Sequence, residues 1–409
     1  MADGTGPAYD PVVKVTSMYS TVVFVGDHPL LVACAGRARE AGLEVVAVST
    51  GDASIRAWAQ QEDIHQVAWD DLGTFLSDKR PDVLLSVGNL RILPDEMVTS
   101  TKVSINFHDG PLPRFAGLHT PMWALLAGET DYAVTWHVVE GGVDEGDILA
   151  SQAFEIGPDE TTQSMNMKCF AAAGGAFDQV LAQLTAGTLE RVPQVGEGQY
   201  FGRYDRPVPA GALVPHTMTS EQIQRLVRAL DFGSTINRVG RPLLQVDQSR
   251  LLVVQEATIA PAPGSDAQPG TVVSARWSDA EQGRAVLTVA SANEAVVLTG
   301  WLEDGPDPAE LVGQQLPDPT PLLADLEKLH GRSSRNEVWW SKRIEAQRPI
   351  DVSHLRSDGE LTDATVRTGR HSFEDAAASV GAFALAFSGQ PAATIGLATC
   401  HAVDAALSP

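Results

Sequence analysis

The chain has 409 residues, of which 44% are apolar and 20% charged, a composition that excludes wholesale disorder and allows more than one domain. Its net charge of −23 disfavours binding to phosphate backbones and favours cationic partners. No apolar run is long enough to predict a membrane span. The three cysteines are widely spaced, which predicts neither a disulfide framework nor a metal site and is typical of a cytoplasmic protein.

Short apolar runs alternate with helical patterns between residues 19 and 205. The predicted strands are 21–26, 44–50, 81–89, 102–110 and 132–140, and the predicted helices are 30–43, 54–63, 119–129 and 160–187. This alternation predicts a doubly wound α/β domain with a parallel sheet. The turn after the first strand, Gly26-Asp27-His28-Pro29, lacks the G-x-G-x-x-G pattern of a dinucleotide site. Residues 1–18 lack the apolar centre of a signal peptide and are predicted to be a disordered extension.

The composition changes after residue 205. Proline and glycine predict linkers at 206–218 and 306–320. Between them we expect a helix at 221–232 and then a small β-barrel, with strands at 243–246, 251–260, 270–276, 285–291 and 295–303. Residues 321–409 are predicted to be an accessory segment with both helices and strands.

Three polar side chains are the candidates for chemistry. Asn106 and His108 are two residues apart on a predicted strand, so they share one face. They lie at the carboxyl end of that strand, where open α/β sheets bind ligands. Asp144 follows the next strand in a glycine-flanked loop and is expected along the same edge.

An amide, an imidazole and a carboxylate together suit acyl transfer to an amine. An imidazole, with an ordinary pKa of about 6.5, can accept a proton from the attacking amine and return one to the leaving nitrogen. A carboxylate beside the ring orients it and favours its protonated form. An Asn amide can stabilise the oxyanion by roughly 3–4 kcal/mol. Taken singly, His108 is more often an ordinary polar residue at a strand end, and Asp144 and Asp147 could cap turns.

The two segments together resemble a known family. N-x-H-x-G-x-L-P-x-F-x-G (106–117) and G-V-D-E-G-D-I-L (142–149) are similar to motifs of the folate-dependent formyltransferases. That family includes methionyl-tRNA formyltransferase, sugar-amine formyltransferases and formylation domains of nonribosomal peptide synthetases. The resemblance covers about residues 19–305 and implies that the barrel at 219–305 is the family's OB-like domain. It implies 10-formyltetrahydrofolate as the donor and Asn106, His108 and Asp144 as the catalytic set.

The resemblance also implies where the ligands bind. The pterin slot would lie between the loop after the strand at 81–89 and the loop before Asp144. The folate-binding residues implied are Ser86, Gly88, Asn89, Leu90, Arg91, Ile92, Leu93, Glu140, Gly142 and Val143. The acceptor-binding candidates are Pro111, Leu112, His119 and His137. His119 could equally cap its helix, and His137 could equally be a packed, hydrogen-bonded strand residue.

The charge of the chain and one departure from the family pattern limit the choice of acceptor. Gly110-Pro111-Leu112-Pro113 stands where many relatives carry Ser-Leu-Leu-Pro. The version in this chain is more similar to domains of peptide-synthetase or other secondary-metabolite machinery. The segment 219–304 has seven arginines against ten acids, which disfavours tRNA. We therefore expect N-formylation of a small-molecule or carrier-bound primary amine, for example in antibiotic biosynthesis. Formimino transfer, hydrolysis of the formylfolate and a non-enzymatic scaffold remain alternatives.

The C-terminal segment has a weaker resemblance. Residues 338–344, Val-Trp-Trp-Ser-Lys-Arg-Ile, and the stretch 381–396 are similar to part of a peptide-synthetase condensation domain. The sequence contains no H-H-x-x-x-D-G motif, so condensation chemistry is not expected. The segment could be a vestige, a docking module or a truncated domain, and an oligomer could form through it.

Overall fold

The computed structural model describes residues 18–207, 211–234, 237, 239–247, 250–261, 267–278, 283–302, 307–325 and 327–328. It divides the chain into two compact units, Met1–Asp318 and Pro319–Pro409. The predicted N-terminal extension up to residue 17 and the accessory segment beyond residue 328 lie outside the described residues. Within the described part, no helix combines the length and apolarity needed to cross a bilayer.

An α/β region with a six-stranded sheet forms the first part of the first unit. Its elements are β1 (Thr21–Val25), α1 (Leu30–Glu40), β2 (Glu44–Ser49), α2 (Ala53–Gln61), α3 (Trp69–Lys79), β3 (Val83–Ser86), α4 (Asp95–Val98), β4 (Val103–His108), β5 (Ala116–Gly117), α5 (Thr120–Ala127), β6 (Asp131–Val138), β7 (Ile148–Glu155), α6 (Thr162–Ala186) and β8 (Tyr200–Phe201). The strand order is β2-β1-β3-β4-β6-β7. The predicted α/β fold is confirmed.

The predicted parallel sheet is confirmed for four strands, and the complete six-stranded sheet is mixed. Strands β2, β1, β3 and β4 are parallel, but β6 runs antiparallel to β4, and β7 runs antiparallel to β6. β7 is antiparallel to β6 because the two strands are joined by a loop rather than by a crossover helix. The direction of β6 relative to β4 does not follow from the alternation of helices and strands, because α5 lies between these two strands. Since β6 runs antiparallel to β4, the loop that follows β6 leaves the sheet at the opposite end from the loop that follows β4.

Side chains of the central strands point alternately to the two faces of the sheet, and both faces are buried. On β1, Val22 and Phe24 belong to one apolar cluster, while Val23 and Val25 belong to the other. The first cluster contains side chains of α1, α5 and α6, and the second contains side chains of α3 and α4. Because successive residues of a strand face opposite sides and both sides are buried, these strands are continuous apolar runs.

Two of the longer elements, α3 and β7, were not predicted from the sequence, and neither were the short α4, β5 and β8. Helix α3 buries only Leu72 and Leu76 and lacks a side-chain N-cap, so its helical signal is weak. Strand β7 is an edge strand in which only Leu149 and Ala150 are buried, so it has no alternating pattern. By contrast, the pattern at 160–187 forms a single helix, α6, with a capping box at Thr161.

A helix and an antiparallel sheet form the second part of the same unit. The elements are α7 (Ser220–Ala229), β9 (Leu243–Gln245), β10 (Leu251–Ala260), β11 (Val272–Trp277), β12 (Arg284–Ala290) and β13 (Ala295–Leu302). All five predicted strands are present, in the order β11-β12-β13-β10-β9.

Hydrogen bonds tie α7 to the start of α6. Thr162 Oγ1 donates to the carbonyl of Ala229 at 2.7 Å, and the Gln163 N–H donates to the carbonyl of Asp231 at 3.0 Å. The side chains of both parts share one apolar cluster. The antiparallel sheet is therefore joined to the α/β region by packing as well as by the chain.

A buried carboxylate holds the amino end of the parallel sheet. Asp82 Oδ2 accepts hydrogen bonds from the backbone and hydroxyl groups of Ser20 and Thr21, and Asp82 Oδ1 lies 2.7 Å from Lys102 Nζ. Burial alone would raise the pKa of Asp82, but Lys102 and the Ser20 and Thr21 donors lower it well below its ordinary value.

We predict that Asp82→Asn lowers the free energy of unfolding at pH 7 by about 1–3 kcal/mol, because it leaves buried donors and Lys102 poorly paired. The carboxylate's contribution is fully present above about pH 4, the ordinary pKa of an unfolded Asp, and is lost as pH falls towards the lower pKa of the folded state. Urea unfolding at several pH values should show the difference between wild type and variant narrowing below about pH 4. Asp78→Asn, at an exposed position of α3, is the control and should have little effect. A pH-independent difference at Asp82 would contradict this account.

Candidate active site

Asn106 lies at the centre of a row of polar side chains on one face of the sheet. It pairs with Ser86 on β3 and with His137 on β6. His108 is two residues further along β4 and pairs with Thr135. Since Ser86 is the last residue of β3 and His137 is the penultimate residue of β6, the loops that follow those two strands leave the sheet on either side of Asn106.

Asp144 reaches this row from the loop 139–147. Its Oδ2 lies 3.4 Å from His108 Nδ1, and its Oδ1 lies 3.4 Å from His137 Nε2. Oδ2 also accepts a hydrogen bond from the backbone N–H of Gly117 at 2.9 Å. Asp144 lies near the carboxyl end of β4, as expected, but the assumed direction of β6 was wrong, because β6 is antiparallel to β4. The loop instead folds back over the face that carries Asn106, His108 and His137.

The backbone of this loop is held in an unusual conformation. Asp144 has a φ of 61°, in the left-handed region that non-glycine residues rarely adopt. Gly146 approaches Val138 so closely that a Cβ would lie 1.8 Å from the carbonyl oxygen. The Gln194 amide donates to the carbonyls of Asp144 and Gly146, each at 2.8 Å. The close approach to the Val138 carbonyl explains why the G-V-D-E-G-D segment has glycine at position 146.

His108 is buried, with only 5% of its surface exposed. Its Nε2 lies 2.7 Å from the carbonyl oxygen of Phe115, and since a carbonyl only accepts, we assign a proton to Nε2. Nδ1 faces Asp144. Gly110 makes this arrangement feasible, because a Cβ there would lie 2.8 Å from the Phe115 oxygen and 2.9 Å from His108 Nε2.

His137 is a fourth member of the row. Its Nδ1 lies 2.9 Å from the Val138 carbonyl, and its Nε2 lies 3.2 Å from Asn106 Nδ2 as well as 3.4 Å from Asp144. It is buried, with 2% of its surface exposed. The sequence left acceptor binding and strand packing open for this residue. The structure gives it a packed position in contact with two of the candidate catalytic side chains.

The environment of Asp144 favours its ionised form. Burial alone would raise the pKa of Asp144, but the hydrogen bond from His137, the charge of the nearby His108 ring and the N–H of Gly117 together lower it. The carboxylate is therefore available at neutral pH to orient both imidazoles and to share their protons.

The loop after β3 contains most of the predicted folate-binding residues. Ser86 is buried, and the Asn89 side chain bonds to the backbone of Arg91 within the loop. The Arg91 guanidinium lies 4.9 Å from the centre of the Trp69 ring. Gly88 has a φ of 61°, and a Cβ there would lie 2.4 Å from that of His28. The sheet edge next to Asn106 is thus bordered by a loop with a defined conformation.

Three large apolar side chains in the two loops are exposed to solvent. They are Leu90, 84% exposed, Ile92, 77% exposed, and Val143, 43% exposed. Leu93 packs against the apolar cluster below. In the other loop, Gly142 N donates to Glu145, and Glu140 forms an ion pair with Arg191. The exposed side chains are what an apolar, planar ligand would cover.

Apart from His137 on β6, the predicted acceptor-binding residues lie in and after the turn that follows β4. The Pro111 carbonyl accepts from Phe115 N, the Leu112 N–H contacts Thr135 Oγ1 at 3.4 Å, and the Leu112–Pro113 bond is cis. His119 precedes α5 with a φ of 57°, and its ring lies edge-on to Phe232 at 5.8 Å.

A cleft of about 390 Å³ lies next to Asp144. Its lining comes from the loops 113–116 and 143–145 and from residues 194–200.

Two contributors to the site, Thr135 and Gln194, were not found from the sequence, because each acts through backbone carbonyls and neither type of residue indicates chemistry. Thr135 Oγ1 donates to the Gly110 carbonyl at 2.8 Å.

The position of Gly146 gives a test of the loop geometry. We predict that Gly146→Ala lowers the free energy of unfolding by roughly 1–3 kcal/mol, because its Cβ would collide with the Val138 carbonyl. Gly36→Ala, on helix α1 where nothing lies within 4 Å of a Cβ, is the matched control and should raise stability by about 0.5–1 kcal/mol. Urea unfolding of the two variants measures both effects. Equal stability of Gly146→Ala and wild type would contradict the close approach.

Comparison with known sequences agrees with the motifs. A model described as formyl transferase matches residues 21–181. The methionyl-tRNA formyltransferase of Myxococcus xanthus (strain DK1622) is 30% identical over 203 residues, which cover 47% of this chain and 58% of that protein. The chain thus spans somewhat more than half the length of this relative.

Comparison with solved structures shows a shared fold. An N-formyltransferase from Helicobacter canadensis, crystallised with folinic acid and dTDP-3-aminofucose, superposes with a TM-score of 0.51 at 16% identity and covers 69% of this chain and 100% of that one. WlaRD, a sugar 3N-formyl transferase studied with dTDP and 5-N-formyl-THF, gives a TM-score of 0.51 at 16% identity, with 70% and 99% covered. Residues 21–181 therefore match the formyl transferase family model, on a fold shared with two N-formyltransferases.

Proposed function

We propose that this protein is an N-formyltransferase that moves the formyl group of 10-formyltetrahydrofolate to a primary amine. The observation that carries the proposal is the contact of Asp144 with both His108 and His137, next to Asn106, on one face of the sheet. The match of residues 21–181 to the formyl transferase family supports the same reaction.

The two loops beside Asn106 fit the donor. The pterin and aminobenzoyl rings of a folate have flat faces that pack well on apolar surface, and the exposed Leu90, Ile92 and Val143 offer such a surface. Backbone groups of the loops 86–93 and 140–143 would bind the polar edge of the pterin. When bound, the folate supplies an activated formyl group attached to N10.

The chain's own residues would then carry the transfer. As the amine attacks the formyl carbon, a new C–N bond forms and the carbonyl oxygen becomes an oxyanion, which the Asn106 amide stabilises. The bond from the formyl carbon to N10 then breaks. The amine must lose a proton and N10 must gain one, and a buried imidazole paired with a carboxylate can do both.

His108 and Asp144 are proposed to act as one acid–base unit. Nε2 of His108 faces the Phe115 carbonyl, so the nitrogen available for exchange is Nδ1, which faces Asp144 Oδ2. A proton taken from the amine would lie between these two atoms. His137 holds the other oxygen of Asp144 and is proposed as a positioning residue.

The acceptor we propose is a small-molecule or carrier-bound amine of secondary metabolism. The net charge of −23 supports a neutral or cationic acceptor over a polyanion such as tRNA. The Helicobacter canadensis neighbour was crystallised with a nucleotide-linked amino sugar. The acceptor panel of the test should therefore include such a sugar, cationic amines, aminoacyl groups on a carrier protein and methionyl-tRNA.

The test is amine-dependent formation of an N-formyl product from 10-formyltetrahydrofolate, followed by mass spectrometry. Formate release without any dependence on amine would indicate hydrolysis instead. A formimino product from the corresponding donor would indicate formimino transfer. Failure to bind 5-formyltetrahydrofolate by calorimetry would favour the scaffold interpretation.

We predict that His108→Ala and Asp144→Ala each lower kcat by at least about 100-fold, the usual size of acid–base effects. Affinity for the folate should change much less, since these side chains act on the reacting atoms. His65→Ala is the control, because His65 is exposed and stacks on Phe75. Near-wild-type kcat in either catalytic variant would rule out the assignment.

A further inference from the structure

We infer that Gln194 is a positioning residue that holds the Asp144 loop in its reactive conformation, an inference that rests on the proposed transfer reaction. Gln194 lies outside both sequence motifs, 50 residues beyond Asp144. It touches neither His108 nor Asn106 in any hydrogen bond of the described residues. Its influence would therefore pass entirely through the loop 139–147.

The first argument is the hydrogen bonding of the Gln194 amide. Nε2 lies 2.8 Å from the Asp144 carbonyl and 2.8 Å from the Gly146 carbonyl. A primary amide carries two N–H donors, so both are used on this one turn. Gln194 thereby joins the carbonyls on either side of Glu145 and fixes the direction in which the Asp144 side chain points.

The second argument is the strain of the loop. Asp144 has a φ of 61°, and a backbone in this region persists only where its surroundings hold it there. The motif supplies glycines for the turn but no side chain that binds the two carbonyls. Gln194 supplies that contact from a separate segment of the chain.

The third argument is that the same segment binds the other catalytic loop. Residues 194–201, here called the strap, end in β8, which pairs with β5. Ala116 N donates to the Gln199 carbonyl at 2.9 Å, and Leu118 N donates to the Phe201 carbonyl at 2.8 Å. Between these two contacts, Gly117 N donates to Asp144 Oδ2. The strap thus holds both partners of the Gly117–Asp144 hydrogen bond.

The consequence for chemistry follows from the groups that face Asp144. These are His108 at the end of β4, His137 on β6 and the N–H of Gly117; Asp109 Oδ1 lies 4.0 Å from Nδ1 of the same His108 ring. If Gln194 no longer held the turn, Asp144 would withdraw from the two imidazoles. Asp144 would then lose the imidazoles and the Gly117 N–H that lower its pKa, so the limb of the kcat profile that depends on ionised Asp144 would move to higher pH.

The variants are Gln194→Leu, which removes both donors at similar size, and Gln194→Glu, which places a carboxylate against two carbonyls. Gln60→Leu is the control for the same change of side chain, because Gln60 is exposed on α2, outside the cleft, and its side chain makes no hydrogen bond among the described residues. We expect kcat to fall about 10- to 100-fold in Gln194→Leu and further in Gln194→Glu, since a small displacement of a catalytic group has effects of this size. The control should keep wild-type kcat and the wild-type pH profile.

A second readout does not depend on turnover. Exchange of the Gly117 amide hydrogen, followed by NMR, reports whether Asp144 still accepts its bond. Exchange should be faster in Gln194→Leu than in wild type and unchanged in Gln60→Leu. Wild-type exchange at Gly117, or an unshifted pH profile in Gln194→Leu, would overturn the inference. If wild type itself formed no formylated amine, the proposed function would fail, and Gly117 exchange would still decide the role of Gln194.

Discussion

The site depends on one carboxylate being held between two imidazoles. The side chain of Asp144 is 9% exposed and ionised at neutral pH, and it contacts His108 through one oxygen and His137 through the other. Its backbone is strained, and the N–H of Gly117 and the amide of Gln194 hold it in position. A buried charge is tolerated only with such partners, and removing them exposes its desolvation cost. The arrangement therefore links catalysis to the geometry of three separate loops.

The mixed sheet makes this convergence feasible. The parallel strands β3 and β4 bring Ser86 and Asn106 side by side, and the antiparallel β6 brings His137 next to Asn106 from the other direction. Loops therefore leave the sheet on both sides of Asn106, and one of them returns across its face with Asp144. The exposed Leu90, Ile92 and Val143 belong to these two loops, which gives the proposed donor an apolar site next to the polar row.

Much of the fold and part of the site could be predicted from the sequence, for physical reasons. Strands buried on both faces, such as β1 and β3, are continuous apolar runs, and α6 has the period and the cap of a helix. Asn106 and His108 could be placed together because residues two apart on a strand share a face. The direction of β6 could not, because strand pairing depends on long-range contacts. Strand β7 and helix α3 bury too few side chains to show a pattern. Gln194 and Thr135 act on backbone carbonyls, and no residue type or spacing indicates such a contact.

The most direct test is a crystal structure with 5-formyltetrahydrofolate, a stable analogue of the proposed donor. We expect the pterin to lie between the loops 86–93 and 140–144, covering Leu90, Ile92 and Val143. The region of N10 should then lie beside Asn106 and the His108–Asp144 pair, within about one hydrogen bond or one bridging water of them. A folate bound elsewhere on the protein, or a pterin bound with its N10 region turned away from Asn106 and Asp144, would contradict the account.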